Sequence, residues 1–190
     1  MSAGENQHLQ HGTVVLADDH AKVGELIHLL LASLDEGDKA RSFERLDLLW
    51  ARLAVHIRAE HLCLFPSILG ALGKSTSRHS TGEPGSERVR EVLELLRADH
   101  DFFMVELGKA VNAAREMFGP GDKPSAAQFR EIKRRVQAVS DRLAEHNLLE
   151  EEQVYCWPEL LLSPSERVEL SARMQREIEN LPPRFSARKV

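Results

Sequence analysis

Apolar residues return every three or four positions along most of this chain, the period of an amphipathic helix, and the pattern breaks at a few polar stretches. From about Asp18 or Asp19, either of which can cap a first turn, to about Asp35, one face carries His20, Val23, Ile27, Leu30, Leu31 and Leu34. We call this helix A; the polar DEGD ends it. Helix B runs from about Lys39 to Leu69, with Leu46, Leu49, Leu53, His56 and Glu60 aligned. Pro66 lies inside it and must kink it or start a separate last turn, because proline cannot donate the backbone bond. Residues 70–86, GALGKSTSRHSTGEPGS, read as a surface loop. Helix C covers about Glu87 to Phe118, with Val89, Leu93, Leu96, His100, Phe103, Leu107, Ala110 and Val111 inward. GPGDKPS stops it, and helix D follows from about Ser125 to Tyr155, carrying Ile132, Val136, Val139, Leu143, His146 and Glu150. Beyond Trp157 and Pro158, a break at ELLLSPSER precedes a shorter helix E, about Ser165 to Leu181, with the stripe Leu170, Met174, Ile178 and Leu181.

No segment has the period of a strand, so the fold class is all-α. The halves repeat: Val23 and Phe103 lie three residues after the lone histidines His20 and His100, and Leu53 and Leu143 lie three before His56 and His146. An up-down four-helix bundle with a pseudo-twofold A-B/C-D repeat and a short C-terminal accessory helix satisfies both observations. The expected organisation is a polar N-terminal arm at 1–15, loosely held over residues 1–12, a bundle at 16–162, the accessory helix at 163–181 and a frayed tail at 182–190.

With 190 residues, 42% hydrophobic and 29% charged, the chain can bury a core without covalent staples. A net charge of −5 and a pI near 6.0 argue against a nucleic-acid partner. The start, MSAGENQHLQHG, lacks the basic and apolar regions of a signal peptide, and no apolar run approaches the roughly 20 residues of a membrane span. The reading is cytoplasmic, without a membrane partner. Two cysteines, Cys63 and Cys156, exclude a disulfide framework.

The chemistry lies in a doubled motif. In HIRAEHLCLFP, Glu60 follows His56 by four residues and points within roughly 40° of it; in HNLLEEEQVYCWP, Glu150 follows His146 in the same way. The order is therefore His20, His56xxxGlu60, His100, His146xxxGlu150, all on core faces. Burying two carboxylates beside neutral histidines costs several kcal/mol each, and a pair of cations offsets it; iron, manganese and zinc all take such ligands.

These motifs, with LFP after the first and Tyr, Trp and Pro after the second, resemble the hemerythrin-like (HHE cation-binding) family over roughly residues 16–160. The resemblance implies a non-haem centre of two iron ions, oxo- or hydroxo-bridged, with Glu60 and Glu150 bridging and the four histidines terminal; Mn or Zn could substitute. Oxygen-carrying members have a second histidine where this chain has Met104, and HxxxxD where it has HxxxE, so it looks closer to bacterial HHE proteins. The ferritin-like alternative needs Glu-x-x-His on two bundle helices; here that spacing occurs at Glu5–His8 in the arm and Glu25–His28 on helix A.

Neighbouring residues admit two roles each. His61 is a further ligand or, as favoured, an interhelical or surface histidine; His28 is structural. Gly24 opens a path to the metals or allows close helix packing. Phe65 and Tyr155, each nine after a motif histidine, wall the pocket with Met104, and the Tyr155 hydroxyl can bond a ligand or simply sit in the core. Cys63 is a redox or metal group or a buried spacer. Asp19 and Asp99 orient ligands or cap and solvate, and Glu151 and Glu152 form a solvated acidic face. The expected function is binding or sensing of O2 or NO under stress. The alternative is an enzyme reducing peroxide or nitric oxide with an external electron donor, or an iron donor for cluster repair. Oligomeric state is left open.

Overall fold

The structure is a computed structural model, described here for residues 13–74, 84–117 and 125–186. Its elements are α1 (Val14–Asp35), α2 (Lys39–Ala59), a π-helical turn (Glu60–Leu64), α3 (Phe65–Lys74), α4 (Ser86–Glu116), α5 (Ala126–Glu152), a 3-10 turn (Val154–Cys156), α6 (Trp157–Leu161), α7 (Pro164–Glu179) and α8 (Pro183–Ser186). The described residues contain no strand, so the all-α expectation holds. In this helical bundle α1 packs on α2 and α5, and α4 packs on the same two helices.

The apolar faces read from the sequence are the faces that pack. Leu30, Leu49, Leu96, Leu107, Val136 and Val139 have no exposed surface. Leu31 and Leu181 are the exceptions, only partly buried against the core. None of the described helices is long and apolar enough to cross a membrane.

Several boundaries differ. Helix α1 starts at Val14 rather than at Asp18 or Asp19, because Leu16, completely buried, draws another turn into the core. Asp19 therefore lies inside the helix, fully buried, and caps nothing. At the other end Gly37, at φ 68°, permits a tight reversal in which its N–H donates to Leu34 O and that of Asp38 to Ser33 O. Asp38 then caps α2 by accepting from Arg41 N.

The expected helix B is three pieces. The π turn begins at Glu60 and hands over to α3 at Phe65, so Pro66 sits in the first turn of a new helix. The carbonyl of Leu62, four residues before Pro66, accepts from Arg173 of α7 at 3.0 Å. Helix α3 continues to Lys74, claiming residues 70–74 from the expected loop; 75–83 lie outside the described residues. Helix C ends by Met117, and its expected last residue, Phe118, is likewise outside them. Helix D stops at Glu152, three residues early, where the 3-10 turn takes over.

The accessory helix is α7, capped by Ser163 and Glu166. It packs mainly on α2 and the π turn through Leu170, Met174 and Ile178, with Arg58 donating to Glu177. The tail expected to fray instead forms α8, which buries Phe185 in the bundle core and pairs Arg184 with Asp47. Residues 187–190 and the polar arm at 1–12 are outside the described residues.

Candidate metal centre

The second turn of α1, the end of α2, the start of the π turn, the middle of α4 and the end of α5 bring His20, His56, Glu60, His100, His146 and Glu150 together, each at most 7% exposed. Their donor atoms form two groups. His20 Nε2 stands 3.2 Å from His56 Nε2 and 3.3 Å from Glu150 Oε2, with His56 Nε2 3.6 Å from Glu60 Oε1. His100 Nε2 stands 3.0 Å from His146 Nε2 and 3.2 Å from Glu60 Oε2, with His146 Nε2 3.3 Å from Glu150 Oε1. Each glutamate thus gives one oxygen to each histidine pair.

The outer nitrogen of every imidazole is engaged away from the centre. His56 Nδ1–H donates to Asp19 Oδ2 and His146 Nδ1–H to Asp99 Oδ2, both at 3.1 Å. Arg52 donates to Asp19, and Arg142 to Asp99. His20 Nδ1–H donates to Glu151 Oε1 at 2.7 Å. Carboxylates only accept, so these partners fix the tautomer and turn each Nε2 lone pair inward. His100 Nδ1 has a histidine as its partner, His61 Nε2 at 2.9 Å.

Imidazole nitrogens and carboxylate oxygens converging at about 3 Å need positive charge between them, a proton or a metal ion. The two fully buried oxygens Glu60 Oε2 and Glu150 Oε1 also lack any hydrogen-bond partner. Such orphaned acceptors are costly in a protein interior, and metal coordination is the ordinary remedy. Two sets of metal-capable groups emerge from the described residues: Glu60, His100, His146 and Glu150, and His20, His56 and Glu150. The donor set fits metal ions.

Electrostatics in the absence of metal point the same way. Burial opposes the charge of His56, but Glu60 and Asp19 outweigh it and push the imidazole up to about 10. His20 and His146 are raised too, burial again being overcome by Glu150, with Glu151 helping at His20. Burial disfavours the Glu60 carboxylate, yet His56 and His100 hold it well below its usual range. Each of these shifts favours positive charge beside the two carboxylates.

Aromatic rings close the site. Phe65 stacks on His100 with 6.1 Å between centroids, and Phe103 meets His146 edge-on at 5.1 Å. Tyr155, 2% exposed, turns its hydroxyl into the centre, 3.0 Å from Glu60 Oε1, 3.2 Å from Glu150 Oε2 and 3.0 Å from His20 Nε2. Burial and both carboxylates push its phenol well above the ordinary range.

Gly24 is exposed, and a Cβ there would meet nothing within 4 Å, so it makes no close helix packing. Met104 is partly buried against the core. Cys63 is buried in a second apolar cluster, and that burial pushes its thiol up. Glu25 and His28 are exposed, while Glu5 and His8 lie outside the described residues, so no ferritin-like pair forms among those described.

Three supporting residues escape a reading of helical faces. Arg52 and Arg142 lie one turn before His56 and His146, a signal visible only once Asp19 and Asp99 are known to need partners. Glu151 stays partly solvated, as expected of the acidic face, but α5 also presents it to His20 on the adjoining α1.

Against known families, the model described as hemerythrin HHE cation binding domain matches residues 11–157. No curated protein and no solved structure matches the chain.

Proposed function

This chain belongs to the hemerythrin HHE cation-binding family, and from that premise we propose that its buried cluster holds two iron ions and binds or senses a small diatomic ligand, O2 or NO. The observation that carries the reading is the division of four carboxylate oxygens between two histidine pairs, which suits two metals bridged by Glu60 and Glu150. His20 and His56 would hold one ion, His100 and His146 the other. Iron held by these residues would supply a redox-active Lewis acid for a small ligand.

The chain's own residues orient and shield. Asp19, Asp99, Glu151 and His61 hold the imidazoles by their outer nitrogens. Phe65 and Phe103, both without exposed surface, keep bulk water from the His100–His146 side. A small uncharged molecule suits such an apolar wall better than an anion does.

Metal content per chain, with the visible spectrum before and after reduction and exposure to O2 and NO, tests this. About two irons with oxo-bridged ferric bands and a spectral change on adding O2 or NO support it. Fewer than one metal per chain after iron-supplemented expression overturns it.

A further inference from the structure

We propose that Tyr155 is itself a metal ligand: its phenolate oxygen joins His20, His56, Glu60 and Glu150 at one metal, while the metal at His100 and His146 has no counterpart and stays open. The proposal rests on the two-metal reading above.

Donors ~2.1 Å from one six-coordinate metal stand ~3.0 Å apart when adjacent. Tyr155 Oη is 3.0 Å from His20 Nε2, 3.0 Å from Glu60 Oε1 and 3.2 Å from Glu150 Oε2. These are the spacings of a shared coordination sphere, and His56 Nε2, 3.2 Å from His20 Nε2, closes the same set.

A phenol has one O–H, yet this one faces two carboxylate oxygens, Glu60 Oε1 and Glu150 Oε2, with His20 Nε2 equally close. One proton cannot satisfy both carboxylates. A cation shared by all four atoms does.

The third observation is a broken match between the two sides. Tyr155 follows His146 by nine residues and stacks on His20, ring centroids 5.5 Å apart and planes at 25°. Phe65 follows His56 by nine and stacks on His100, at 6.1 Å and 10°. The rings occupy matching places and differ by one hydroxyl. On the Phe65 side the facing oxygens, Glu60 Oε2 and Glu150 Oε1, are the ones left without a hydrogen-bond partner.

Coordination breaks the phenol O–H bond and forms an oxygen–metal bond. The proton leaves to solvent and no electron moves. The two metals would then differ by one protein donor, and the His100–His146 side, walled by Phe65 and Phe103, would be the one left for a small ligand.

The test uses the full chain loaded with ferric iron, beside Tyr155→Phe, and reads metal content, visible absorption and resonance Raman scattering. The expected result is about two irons per chain in both proteins, with a phenolate-to-iron band and tyrosinate ring vibrations in the wild type alone. Tyr155 is the only tyrosine in the sequence, so the wild-type signal is assigned even if the variant does not fold. Two irons without tyrosinate vibrations overturn the proposal and leave the two-metal reading standing; a Tyr155 that only donates a hydrogen bond gives this result. Fewer than one iron overturns the two-metal reading, and the proposal with it.

Discussion

The Asp19 carboxylate binds His56 with one oxygen, accepting from Nδ1 at 3.1 Å, and Arg52 with the other. Burial works against that charge, but His56 and Arg52 together hold the carboxyl below its usual range. Asp99 repeats the arrangement with His146 and Arg142. An ionised acceptor behind an imidazole fixes the ring and strengthens its inner nitrogen as a donor. Asp19→Ala should therefore weaken metal binding by roughly 10–100-fold, and Asp19→Asn, which keeps an acceptor but not the charge, by less. Titration against a competing chelator measures both. Equal affinities in all three proteins would mean that Asp19 serves the fold and not the metal.

The outer contacts at His20 and His100 are not alike. Glu151 backs the first and His61 the second, and each is the residue following a glutamate of the cluster, Glu150 or Glu60. Glu151→Ala removes the support of one histidine only. It should lower the affinity for one of two metals and leave the other, so that a single-step titration becomes two separated steps. Loss of both metals at the same concentration would contradict this division.

The six residues of the buried cluster were legible in the sequence because helical spacing settles which face a residue takes, and all six share faces with the core apolar residues. The local departures were not. The π turn at Glu60–Leu64 and the 3-10 turn at Val154–Cys156 answer to packing between distant segments, such as Arg173 reaching Leu62 O, which periodicity does not encode. His61 was expected as an interhelical or surface residue, and it does bridge to His100 on α4. Glu151 follows a ligand-spaced glutamate and reads as surface until α1 is placed beside it.

Phe185 shows the same limit at the chain's end. PPRFSARKV has no periodic pattern, yet Phe185 is 3% exposed and belongs to the bundle core. Phe185→Ala should destabilise the protein by about 3 kcal/mol, a typical value for truncating a buried phenylalanine. Arg184→Ala, which loses an exposed pair with Asp47, should cost less than about 1 kcal/mol. Urea unfolding of the two variants separates a docked tail from a frayed one, since a frayed tail gives both the same small effect.

Removing the metal should reverse the way stability depends on pH. In the metal-free protein His56 is raised from 6.5 to about 10, and His20 and His146 are raised as well. A group that holds its proton more tightly when folded stabilises fully below its unfolded value, near 6.5, and loses that contribution as pH climbs through the folded value. Glu60, held below its ordinary 4.5, acts in the opposite sense: its contribution is present above 4.5 and is lost as pH falls. The metal-free protein should therefore be most stable between these two values and weaken towards alkaline pH. Metal ions must displace the same protons, so their affinity, and the stability they add, rises over that range. The gap in Tm between loaded and chelator-treated protein should widen from pH 6 to pH 9, and loading at pH 8 should release at least the His56 proton, measurable by calorimetry in buffers of different ionisation enthalpy. A metal-free Tm that stays level or climbs between pH 6.5 and 9 would show that these histidines do not share protons with Glu60 and Glu150 in the folded chain.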